Sequence, residues 1–144
     1  MFVMPTVLDV IGLLAVATLF GSMAFFSFVV APLVFVKLDG ASAGRFLRGL
    51  FPWYYLVIGL LSLLALAALA ALRPLEAAAL GLIAFGAVVA RQILMPRIND
   101  HRDRMLAGDT EAAKGFDRLH RLSVWINAAQ LLAAFLVLLS LATA

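Results

Sequence analysis

This sequence predicts an all-α membrane protein: an antiparallel four-transmembrane-helix bundle with a short interfacial helix after helix 1. Three observations carry that expectation. Hydrophobic residues fill 65% of the 144 positions and charged residues only 13%, about half the charged share of a soluble domain. Residues 10–36, 49–72 and 122–144 carry no charge, and each run exceeds the ~20 residues that span a hydrocarbon core. A fourth run, 77–96, contains one charge, Arg91. Ending it before Arg91 would leave only about 21 Å of helix, too short to cross. The chain therefore reads as a single domain, 1–144, with helices at about 6–36, 52–73, 75–98 and 112–142.

Helix 1 starts at Thr6-Val-Leu-Asp9, whose spacing suits a capping box with an acid in the positive first turn. No basic stretch precedes its apolar run, so it reads as a retained helix and not a signal peptide. Ala17, Gly21 and Ala24 permit close approach of a neighbour, and Pro32 is expected to kink or end the helix. Arg45-Phe-Leu-Arg-Gly-Leu-Phe51 mixes cations with apolar residues and supplies the interfacial helix. Pro52 then suits the first turn of helix 2, with Trp53, Tyr54 and Tyr55 at headgroup level. Arg73-Pro-Leu-Glu76 is a tight turn into helix 3, where Ala77, Gly81, Gly86 and Ala90 make another close-packing face. Residues 100–115 read as a polar loop with a first turn before helix 4.

Ten of the eleven Lys and Arg residues lie between helices 1 and 2 or around the junction of helices 3 and 4. The positive-inside rule makes both connectors cytoplasmic and both termini external, in a plasma (inner) membrane. The net charge of +3 is thus assigned to orientation and lipid headgroups, and nucleic acid is not an expected partner. Pro32 and Pro96 each precede a basic connector and an aromatic-led helix, which hints at an internal repeat of two hairpins.

Cysteine is absent, which removes disulfides, thiolate metal sites and thiol nucleophiles. No catalytic or phosphate-loop motif occurs, so the chain is not expected to be an enzyme or to hold a cofactor. A haem- or metal-binding redox role is disfavoured, since only His120 lies near membrane depth. What stands out is a polar stripe on helix 4. His120, Ser123, Asn127 and Gln130 fall within an arc of about 80° and extend ~15 Å along the axis. An intramembrane amide must be met by protein or water. The stripe is therefore either hydrogen-bonding glue between helices or the wall of a hydrated cytoplasmic vestibule. In the second reading Arg91 and Gln92 of helix 3 face it, completing a candidate solute- or ion-binding set. Arg91 has other outlets, in snorkelling to the surface or pairing with Asp117.

Gly21 to Phe35, Leu50-Phe-Pro-Trp-Tyr-Tyr55, Ala90-Arg91, Pro96-Arg-Ile-Asn99, Arg102-Asp103, Phe116, Leu119-His-Arg-Leu-Ser123 and Asn127 together resemble the transmembrane-protein-205-like family. That resemblance implies four membrane helices and brings no catalytic residue with it. The functional expectation is an oligomeric small-solute or ion conduit in a lipid bilayer. A non-catalytic membrane scaffold or accessory subunit is the alternative.

Overall fold

Thr6 and Asp9 open the first helix as their spacing predicts. The Thr6 hydroxyl accepts from the Asp9 amide at 3.1 Å, and the Asp9 carboxylate accepts from the Thr6 amide at 2.9 Å. Two amides with no partner inside the helix are thereby satisfied. The structure is a computed structural model that describes residues 6–143. Four helices follow in order: α1 (Val7–Lys37), α2 (Gly40–Leu69), α3 (Pro74–Leu106) and α4 (Thr110–Ala142). Each is long and apolar enough to cross a membrane, so this is a multi-pass membrane protein. Sequential helices pack against each other as antiparallel neighbours, and α4 closes the ring against α1.

The expected interfacial helix is not a separate element. Arg45 to Phe51 forms early turns of α2, which begins at Gly40 and not at 52. Asp39 starts it by accepting from the amides of Ala41 and Ser42. Two contacts with α3 then hold this extension upright. Arg48 forks onto the Asp103 carboxylate at 2.8 and 3.0 Å. The Arg102 guanidinium lies on Gly44, where any Cβ would collide with it, and donates to the Gly40 carbonyl at 3.1 Å. Pro52 consequently falls inside α2 instead of in its first turn.

Neither Pro32 nor Pro96 ends its helix. Directly before each lies a π turn: the Ala31 amide bonds to the Phe26 carbonyl, and the Met95 amide to the Ala90 carbonyl, five residues back. Proline lacks a donor and crowds the carbonyl four residues before it. One extra residue in the preceding turn relieves that crowding and lets the helix continue. Phe26–Val30 and Ala90–Leu94 stand in the same register to their prolines, which strengthens the two-hairpin repeat.

Residues 100–115 also hold less loop than their composition suggests. Only Ala107 to Asp109 lie outside the helices. Gly108 adopts a φ of 97°, a left-handed conformation that suits glycine. Its amide bonds to Met105 and that of Asp109 to Arg104, closing the end of α3. The α3 and α4 helices have 33 residues each, about 50 Å against a hydrocarbon core of about 30 Å. Their surplus carries the charges of residues 97–121, so this hairpin projects from the bilayer at the basic end.

The core is made of Val16, Leu19 and Met23 of α1, Ile58 and Leu69 of α2, Leu80 and Ile83 of α3, and Ala134 of α4. Close approach occurs at Gly12, where a Cβ would lie 2.6 Å from Leu69, and at Gly81, 3.2 Å from Leu66. Gly21, expected at such a contact, faces open space. The aromatic residues divide as well. Trp53 and Trp125 are 67% and 72% exposed, as an interfacial belt requires, while Tyr55 turns inward and is 3% exposed. Tyr54 follows it, its ring 4.3 Å from that of Phe26.

Candidate functional site

Asn127 sits where three helices meet. Its amide nitrogen donates to the Ser27 hydroxyl of α1 at 3.0 Å, and its oxygen accepts from the Tyr54 hydroxyl of α2 at 2.6 Å. One turn deeper, Gln130 is 6% exposed and donates to the Ile83 carbonyl of α3 at 2.9 Å. Gly86 makes room for it, since a Cβ there would lie 2.7 Å from the Gln130 nitrogen. The Gln130 oxygen has no hydrogen-bond partner among the described residues. The inner half of the stripe thus ties α4 to all three other helices.

The outer half behaves differently. Ser123 donates back to the His120 carbonyl at 2.7 Å, and the exposed His120 ring stacks on Phe116, centroids 5.8 Å apart. Both residues line a half-open pocket of about 290 Å³ at the basic end of the bundle. Apolar walls come from all four helices, among them Phe35, Phe51, Met95 and Phe116. Arg48, Asn99 and Arg102 bring polar groups to the same space. The Arg102 guanidinium uses one nitrogen on Gly40, and five N–H donors leave it others to offer.

Arg91 and Gln92 do not converge with the stripe. The Arg91 Nε donates to the Pro52 carbonyl of α2 at 3.0 Å, tying α3 to the middle of its neighbour. That bond takes the place of the alternative pairing with Asp117. Gln92 is exposed and borders a groove of about 130 Å³ on the outer surface between α2 and α3, beside Gly59 and Leu60. The reason is angular: residues 91 and 92 point toward α2 and outward, away from the side of α3 that meets α4. Of the six sequence-derived candidates, His120 and Ser123 share the pocket, Asn127 and Gln130 lie in the interior layer, and the other two face away.

Ser27 and Tyr54 are the polar partners that sequence reasoning missed. A lone serine within a Phe-rich run and a tyrosine assigned to the belt both had innocuous local explanations. The available signal was the need of Asn127 for a partner at its own depth. The histidines lie apart, His120 in the pocket and His101 in a separate cleft between α3 and α4. Among the described residues, no three His, Asp or Glu side chains gather as a metal site requires.

Fold and site together define a four-span membrane protein with a hydrogen-bonded interior and a pocket at its basic end. The chain belongs to the family described as domain of unknown function DUF4149, which matches residues 14–107. The match takes in most of α1, the whole of α2 and α3, and stops before α4, so the stripe lies beyond it. No curated protein and no solved structure matches the chain.

Proposed function

We propose that the protein is a non-catalytic membrane module that binds an anionic amphiphile in the pocket at its basic end. One observation carries this reading: apolar walls from four helices surround a space that also receives Arg48, Arg102 and His120. A single apolar chain fits among Phe35, Phe51 and Met95, and an anionic end meets the free donors of Arg102. The positive-inside rule puts this end on the cytoplasmic side of the membrane, where such ligands enter from the inner leaflet. The likeness to transmembrane-protein-205-like proteins agrees with a four-span module and adds no reaction.

A solute conduit is the weaker reading, because Asn127 and Gln130 each direct a donor to a protein acceptor across the bundle. His120 and Ser123 remain candidate ligand contacts, now at the pocket wall.

The native absence of cysteine provides a clean test. In Met105→Cys protein, decanoate should slow labelling of the pocket thiol, while decyltrimethylammonium should leave it fast. Arg102→Gln should abolish that preference. Equal protection by the two amphiphiles, or none by either, refutes the assignment.

A further inference from the structure

At the basic end, some arginines are paired with acids and others are not. Arg48 forks onto Asp103, and Arg104 bonds Asp109 at 2.7 Å. Arg97 and Arg118 have no carboxylate or carbonyl partner among the described residues, yet both line one cleft between the projecting ends of α3 and α4. This cleft has a volume of about 620 Å³ and is distinct from the pocket that holds His120. Lys114 and His101 border it too. Its one acid, Glu111, is taken up by Lys114 at 2.8 Å. Two guanidinium groups without an intervening acid repel each other, and an anion placed between them turns that repulsion into attraction.

The cleft has a built floor. Gly115 brings the α4 backbone against the His101 ring, where a Cβ would collide with it. The His101 Nδ1 is buried without a hydrogen bond, its nearest acid being Asp100 at 3.7 Å. Planar guanidinium forks match the terminal oxygens of a phosphate, and a dianion balances Arg97 and Arg118 once Glu111 has neutralised Lys114.

We propose that this cleft is a phosphate-binding site in which Arg97 and Arg118 grip a phosphate monoester dianion from opposite helices. It is independent of the amphiphile pocket and stands or falls separately. The phosphate belongs to a lipid headgroup or to a soluble molecule, because the cleft opens on the part of the hairpin that projects beyond the hydrocarbon.

The test uses full-length protein in phosphatidylcholine nanodiscs, with phosphatidic acid as the lipid probe and inorganic phosphate as the soluble one. Phosphorus NMR reads both. Arg97→Gln/Arg118→Gln protein should bind about 10-fold more weakly or worse, as expected when charged hydrogen bonds are lost. Arg45→Gln, at a residue that lines neither the pocket nor the cleft, should bind normally. Both substituted arginines of the double variant lack structural partners, so its thermal unfolding should match the parent. Gly115→Ala, which pushes His101 into the cleft, should also weaken binding and gives an independent second variant. Binding of phosphatidic acid alone identifies a lipid source, and binding of inorganic phosphate identifies a soluble one. If neither probe binds, or the double variant binds as well as the parent, the site does not exist. Equal binding of phosphatidylglycerol, which lacks a terminal phosphate, that is lost in the same double variant would reduce the cleft to general electrostatic attraction and likewise overturn the proposal.

Discussion

The interior layer and the basic end use polar groups to opposite effect. Asn127 and Gln130 extend across the bundle to Ser27, Tyr54 and Ile83, joining helices where water is excluded. Arg48, Arg102 and His120 border open space instead. Depth makes the difference. Inside the hydrocarbon a polar side chain has only protein to bond, so it is consumed in structure. At the rim, water competes for each ion pair and donors remain to spare for ligands. The two π turns each place a side chain that joins a neighbouring helix. Ser27 and Arg91 are each the second residue of their turn. The short Ser27 ends inside the bundle on α4, whereas Arg91 reaches the Pro52 carbonyl of α2. If the hairpins are related by a two-fold axis along the membrane normal, these are corresponding helix pairs.

The largest expected effect comes from crowding the interior. Gly12→Val would drive a side chain into the buried Leu69, whose Cγ and Cδ atoms already lie 2.6–3.1 Å from a Cβ at this position. A cost of about 1–3 kcal/mol should appear in reversible unfolding from mixed micelles. Gly21→Val, in open space, should cost little. Equal losses at the two positions would mean that the α1–α2 contact is misplaced.

A smaller effect is expected from the hydrogen-bonded layer itself. Asn127→Leu removes two interhelical bonds of ~0.6 kcal/mol each, so about 1 kcal/mol should be lost. Asn127→Cys should resist a water-soluble thiol reagent that readily labels Gly108→Cys in the exposed loop. Rapid labelling of both would open the interior to water and restore the conduit reading.

The smallest effect concerns acid. Asp109 is held below the usual carboxylate range, first by its hydrogen bond from Arg104 and then by the Ala112 amide. The Ser42 amide does the same for Asp39. A lowered native pKa stabilises the fold above the unfolded value of about 3.9 and ceases to do so as pH falls through the native one. Both groups are exposed, so acid should loosen only the starts of α2 and α4. Protection from hydrogen exchange, relative to the intrinsic rate at each pH, should fall at the amides of Ala41, Ser42, Glu111 and Ala112 below that range. Protection in the segment around Asn127 should stay unchanged, and a matching fall there would show that the two regions are coupled.

The sequence by itself determined the four spans, the start of α1, the charged and uncharged ends, and the polar face of α4. These are properties of one helix at a time: hydropathy over about 20 residues, a three-residue capping interval and a period of 3.6. Which groups meet across helices was decided only by the tertiary structure. Ser27 and Tyr54 lie 100 and 73 residues from Asn127 along the chain, and no period within α4 encodes the rotation or depth of α1 and α2. The start of α2 was hidden similarly. Residues 45–51 look amphipathic alone, and Asp103 and Arg102, far along the chain, hold them upright. Shared depth admits Arg91 and Gln92 to the vestibule reading, but a common level in the membrane does not fix direction around the helix axis. That direction follows from packing, and packing turned both residues away from α4.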